Sequence, residues 1–435
     1  MFDSPHLADL RALTVALSRL ETPAPDAERI DRIRAMEDLK NALCAAQARE
    51  TAALDTSIRT QREQVGVRAD KQGAGIAGQV GLARRLSPHQ AAVKLGLATV
   101  LTVEMPCTLA AMTSGVLSEW RATLLVRETA CLTVEDRQTI DRAIAGDRDR
   151  LEQMGDRELI GEIQRLAASL DAASVVRRRA RAEAERTVTI RPAPDTMSYL
   201  TGLLPVTQGV AIFAALSKAA DSARSAGDLR SRGQVMADTL VERVTGRPAT
   251  EPVPVSIDLV MTDRSLLAGD SEPAELIGYG IVPAEWARAL VSAATDSRLA
   301  WLRRVYTAPT TGDLIAMDSR AQRFPAGLHH WLRVRDRSCR TPWCDAPIRH
   351  DDHVVRRADA GPTSAANGQG LCEACNYAKD AVGWRARPRS GIRHTVRITT
   401  PTGHTYDSTA PPLPGTSHRT TTRLELYFAR LVLAA

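Results

Sequence analysis

Apolar positions recur every three or four residues through most of the first 320 residues, which predicts helices. In residues 26–68, Ile30, Ile33, Met36, Leu39 and Leu43 form one apolar stripe on an otherwise charged segment. The same period covers 7–22, about 79–86, 88–103, 106–113, 118–129, 134–146 and 156–187, with a glycine-rich break at 71–79. Helix starts are marked by Ser87-Pro88, by Ser118 before Glu119, and by Thr133 with acids at 135 and 136. After Arg191-Pro192 the pattern mixes. Strands are expected at 196–204 and 252–262 and helices at 206–223, about 230–245 and 283–294. A short hairpin is expected over 303–307 and 313–317. Two further alternating runs, His394–Thr400 and His404–Ser408, flank Pro401-Thr402-Gly403 and predict a C-terminal β-hairpin, followed by a proline-rich stretch and an amphipathic tail.

The expected fold class is therefore α+β. A mostly helical domain spans 1–320, a small module 321–390, and a hairpin with its tail 391–435. Leu82–Leu97 reads either as a helix-turn-helix or as a packed helical hairpin, with the hairpin favoured. No apolar run approaches the ~18–20 residues that span a bilayer. The first twenty residues carry charges among their apolar positions and lack a small-residue cleavage site, so a cytoplasmic protein without a membrane partner is expected. No glycine-rich nucleotide fingerprint appears, which argues against an ATP-driven motor.

Charge changes the picture in one region. The chain has 57 basic and 51 acidic residues, and residues 333–397 hold 13 and 7 of them, so the whole excess of +6 sits there. A basic surface attracts polyanions, and nucleic acid is the commonest. The same region holds four of the seven cysteines, Cys339-x4-Cys344 and Cys372-x2-Cys375, with 27 residues between the pairs. Two close pairs in a polar, Arg-rich stretch are what a tetrahedral zinc needs, and an all-thiolate site is closed and structural. Cys44, Cys107 and Cys131 stand alone in helical sequence and read as small buried apolar residues.

Between the cysteine pairs the chain reads His350-Asp351-Asp352-His353, then Asn367, and Asn376 follows the last cysteine. The string DDHVVRRADAGPTSAAN…LCEACNYAK resembles the HNH endonuclease motif over about residues 339–380. The segments VGLARRLSPHQ…, DTMSYLTGLLPVTQGVAIFAALSKAA and LIGYGIVPAEWARAL resemble the helical domain of unknown function found upstream of HNH modules in an actinobacterial repeat family. The resemblance implies a zinc-stapled ββα-metal nuclease module that hydrolyses DNA and leaves a 3′-hydroxyl and a 5′-phosphate. It implies Asp352 as ligand of a divalent ion such as Mg²⁺, His353 as general base, Asn367 as the residue holding the loop, Asn376 as a second metal ligand, and Lys379 at the basic position of the short helix, where it is expected to bind the nucleic acid. Asn376 departs from the more usual His, and an amide oxygen suits Mg²⁺ better than a transition metal. Gly368-Gln369-Gly370 also departs from the family pattern, and a loosened turn is expected there. If Asp352 and His353 lie on a strand they point to opposite faces. Arg356 and Arg357 follow the base closely enough to reach a phosphate, and Trp384-Arg385-x-Arg387-x-Arg389 alternates like a basic strand edge, so Arg385 is expected to contact DNA. The alternative is a non-catalytic, zinc-stabilised DNA-binding protein with a decayed site. By analogy with nucleases that cut both strands with one site per chain, a homodimer is a further expectation.

Overall fold

The computed structural model describes residues 7–20, 23–248, 259–296, 324–391 and 393–414. The hairpin expected over 303–307 and 313–317, most of the strand expected at 252–262, and the amphipathic tail lie outside those residues; of the strand, Leu259–Val260 is described and is extended. The chain divides into two compact units: residues 1–57 with 94–176, and residues 58–93 with 177–435. A segment from early in the sequence, residues 58–93, groups with the C-terminal half.

The first unit is helical. It holds most of a 39-residue helix, α1 (Asp26–Gln64), as far as Ser57. The stripe of Ile30, Ile33, Met36 and Leu43 is exposed, and the face that packs in this unit carries Asn41, Ala45, Ala48, Thr51 and Asp55 instead. Small residues let neighbouring helices approach closely there. The core gathers Leu97, Leu101, Met105, Met112, Leu117, Leu125, Ile140, Ile144, Leu159 and Ile163 from the helices that follow. Their starts are capped by side chains: Ser118 accepts from the Arg121 amide and Thr133 from that of Asp136. The helix expected over 156–187 is two helices, Asp156–Leu170 and Ala172–Ala184. Asp171 breaks it by turning its carboxylate onto the amide and hydroxyl of Ser174. Among the described residues no single helix is long and apolar enough to cross a membrane. The bent pair Pro88–Val103 and Pro106–Thr113 is apolar because it puts Leu97, Ala98, Leu101, Ala111 and Met112 into this core.

In the second unit, Thr187–Ala193 forms a strand that the helical reading missed, and it pairs antiparallel with Met197–Leu203. Leu259–Val260, Ala274–Leu276 and Gly280–Val282 make a small antiparallel sheet against the helix Ala284–Asp296. Helix α2 (Ile76–Arg84) lies close to the helix that begins at Pro88: a Cβ on Gly81 would come within 2.9 Å of Ala91 Cβ. That closeness fits the packed hairpin.

The C-terminal part begins with α3 (Ala326–Asp336). Strand β1 (His350–His353) then pairs antiparallel with β2 (Gly368–Leu371), in register His350↔Leu371 to His353↔Gly368, and α4 (Glu373–Lys379) follows. The expected terminal hairpin is a three-stranded sheet, because β3 (Arg385–Arg389) pairs with β4 (Thr395–Thr399), which pairs with β5 (Thr405–Thr409). Trp384, Ala386, Val396, Ile398 and Tyr406 face inward and meet Leu82 of α2 and Val354. Gln79 of α2 accepts from the Thr402 amide and hydroxyl at the β4–β5 turn, and Gly75 and Gly78 leave room for the Trp384 ring.

A four-cysteine centre beside a sandwiched hairpin

Cys339, Cys344, Cys372 and Cys375 are all buried, and their sulfurs lie within 4.8 Å of one another. Cys344 and Cys372 Sγ are 3.7 Å apart. Four sulfurs around a tetrahedral zinc at ~2.3 Å stand ~3.8 Å apart, so the set fits that ion. The local chain builds each knuckle. The Cys339 amide donates to Ala346 O and the Cys344 amide to Thr341 O, with Trp343 between them at φ 61°. Cys372 caps α4, its sulfur accepting from the Cys375 amide at 3.4 Å. Hydrogen bonds from Cys339 and then Cys375 pull the Cys344 thiol down to about 4, while hydrogen bonding with Cys339 and burial push Cys372 up. Four thiolates this close repel one another, and a dication removes that penalty. Among the described residues this is the group of three or more His, Cys, Asp or Glu placed to hold a metal.

The hairpin next to this centre is gripped from both sides. On one face, His350 lies 6.3 Å from the Tyr377 ring, and Asp352 Oδ2 accepts from Lys379 Nζ at 2.5 Å and from Gln369 Nε2 at 2.9 Å. Lys379 also donates to His353 O at 2.7 Å. This is the face that α4 covers. On the other face, Asp351 meets His329 of α3, and the His353 ring packs at a tilt against that of Phe324, their centroids 4.5 Å apart. A Cβ on Gly368 would come within 2.8 Å of Phe324 and 2.9 Å of Leu332, and one on Gly370 within 2.4 Å of Ile348. The Gly-Gln-Gly run is therefore no loosened turn. It is a buried strand whose two glycines admit their neighbours.

His353 Nε2 lies 2.9 Å from Thr363 Oγ1. Its side chain is partly withdrawn from water, and that desolvation lowers its pKa. Asp352 opposes the shift, and Arg357 and Lys379 add to it. These surroundings favour the neutral ring, the form that can accept a proton. Asn367 is 3% exposed. Its Oδ1 accepts from the Val355 amide at 2.9 Å, and its Nδ2 donates to Val355 O at 3.0 Å and Pro362 O at 2.8 Å. It thus ties the chain leaving β1 to the loop returning to β2. Asn376 Oδ1 is buried with no hydrogen-bond partner, one helical turn before Lys379 and so on the α4 face that meets Asp352.

The expected phosphate-binding residues divide. Lys379, expected at a polyanion, is turned inward to Asp352, its side chain only 10% exposed. Arg356 pairs with Asp359 and Arg357 donates to Gly361 O, so both are partly engaged. Arg385 and Arg387 are exposed on the outer face of β3, whereas Arg389 and Arg397 grip Asp407.

Several residues that hold this arrangement escaped the sequence reading. Arg335 forks onto Asp336 and donates to Ala365 O and Gly368 O, each at 2.7 Å. Asp336 receives the Gly370 amide at 2.8 Å, and Arg340 reaches Ser408 O at 2.5 Å. Burial lowers the Arg340 guanidinium to about 10. The alternation of charged and apolar residues in Leu332-Arg333-Val334-Arg335-Asp336 was the only available signal, and it reads as a solvated helix face.

No curated protein and no solved structure matches the chain. Residues 39–336 match the family described as "Domain of unknown function (DUF222)", a span of more than half of the 435 residues. The protein belongs to the DUF222 family.

Proposed function

We propose that this protein is a metal-dependent HNH-type endonuclease that hydrolyses phosphodiester bonds of DNA, with a zinc ion in the four-cysteine site as the staple of its nuclease module. The observation that carries the reading is the hairpin gripped between α3 and α4, with the His353 imidazole on one face and the Asp352 carboxylate on the other. His353 is anchored through Nε2 by Thr363, which leaves Nδ1 for the proton of an attacking water. Asn367 holds the residues that follow the base. The oxygens of Asp352 and Asn376 suit a hard ion such as Mg²⁺, and the buried Asn376 Oδ1, with no hydrogen-bond partner, is a donor of the kind such an ion takes. Such an ion, when bound by Asp352 and Asn376, supplies charge neutralisation at the phosphate. Exposed Arg385 and Arg387 offer contacts to the DNA backbone.

One contact favours a second reading. Lys379 already neutralises Asp352, as it would in a DNA-binding protein that has lost its catalytic ion. Nicking of supercoiled plasmid with Mg²⁺ or Mn²⁺ separates the two. The nuclease reading expects relaxation by the native chain and a loss of about 100-fold or more in His353→Ala. Equal cleavage by both rejects it. Salt-sensitive DNA binding with no cleavage by either selects the second reading.

A further inference from the structure

The face of β1 that carries His353 also holds a second imidazole. Asp351 lies two positions before His353, so both side chains leave the same side of the hairpin. Asp351 Oδ2 meets Nδ1 of His329, which α3 delivers from its first turn. The carboxylate is only 13% exposed and its other oxygen is buried without a partner, while the His329 side chain is 42% exposed. A buried carboxylate under an accessible imidazole fixes the ring's orientation and its Nδ1 proton, and presents Nε2 outward. His329, through Asp351, and His353 therefore meet the same side of β1. The packing of α3 does not account for His329: the helix buries Leu328, Leu332, Val334, Arg335 and Asp336.

Resting on the nuclease reading, we infer that His329 is a second catalytic histidine, the proton donor to the departing 3′-oxygen, with Asp351 as its positioning carboxylate. The water oxygen forms the new bond to phosphorus, and its proton passes to His353. The bond from phosphorus to the 3′-oxygen breaks, its electron pair stays on that oxygen, and the proton on His329 Nε2 neutralises it. Solvent then returns a proton to His329 and accepts one from His353. The products carry a 5′-phosphate and a 3′-hydroxyl.

A change of leaving group tests this role against a structural one. The full chain is assayed on plasmid DNA and on the p-nitrophenyl ester of thymidine 5′-monophosphate, whose nitrophenolate departs without needing a proton. His329→Gln keeps a donor to Asp351 but has no acidic proton; His329→Asn replaces it should the first variant not fold. The expected result is a loss of about 100-fold or more on DNA with nitrophenolate release changed by less than about threefold. Asp351→Asn is expected to lose less, again on DNA alone. Equal losses on both substrates, or no loss on DNA, overturn the inference while leaving His353 dependence, and so the nuclease reading, intact. A native chain that cleaves neither substrate overturns both.

Discussion

Replacing Asn367 isolates what the loop between β1 and β2 requires. Its side chain makes three hydrogen bonds to main-chain groups of Val355 and Pro362, at 2.8–3.0 Å, in a position 3% exposed. Water cannot replace these partners without opening the loop. In Asn367→Ala three bonds are lost at about 1 kcal/mol each, so the second unit is destabilised by about 3 kcal/mol. Asn367→Asp is the sharper variant, because its shape is nearly unchanged. One oxygen still accepts from the Val355 amide, but the other now faces two carbonyl oxygens that had been receiving protons. The cost is about 3 kcal/mol or more, and conservation of shape gives no rescue. Urea unfolding followed by tryptophan fluorescence reports it, since Trp331, Trp343 and Trp384 all lie in that unit. A shift of less than about 0.5 kcal/mol for either variant would refute the accounting.

Removal of the staple is expected to unfold the C-terminal module locally. A strong chelator, or Cys372→Ser, should release one zinc per chain by metal analysis and expose β1 and β2 to amide exchange, leaving the helical core of the first unit protected. His394 gives a pH dependence. Burial, and then Arg335, lower its pKa from 6.5 to about 4, so the folded state binds fewer protons than the unfolded one between those values. The stability it contributes is fully present above pH 6.5 and is lost as the pH falls towards 4. Denaturation midpoints measured across that window should fall less steeply for His394→Gln than for the native chain.

Much of the secondary structure was legible in the sequence because it rests on local signals. Pro88 and Pro106 begin helices, Ser118 and Thr133 cap them, and the spacing of the four cysteines marks a metal site whatever surrounds it. What could not be read depends on partners far along the chain. Arg335 and Asp336 look like solvated helix charges until the carbonyl of Gly368 and the amide of Gly370 are brought to them. Gly368 and Gly370 suggest slack until Phe324, Leu332 and Ile348 fill the space a side chain would take. Asp351 is one carboxylate among several in the sequence, and only the approach of α3 couples it to His329. The apolar stripe on α1 was real, yet it lies exposed while small and polar residues make the contacts.

Helix α2 finds part of its packing at the other end of the chain: Gln79 meets Thr402, 323 positions later. During synthesis this helix leaves the ribosome long before the strands that cover Leu82 and the tryptophan that fills the hollow at Gly75 and Gly78. Contacts of such separation close late and slowly. The C-terminal module therefore completes its sheet last, against a helix that has waited half-covered, and a fragment beginning after residue 320 would leave the inner faces of Val396 and Ile398 wet.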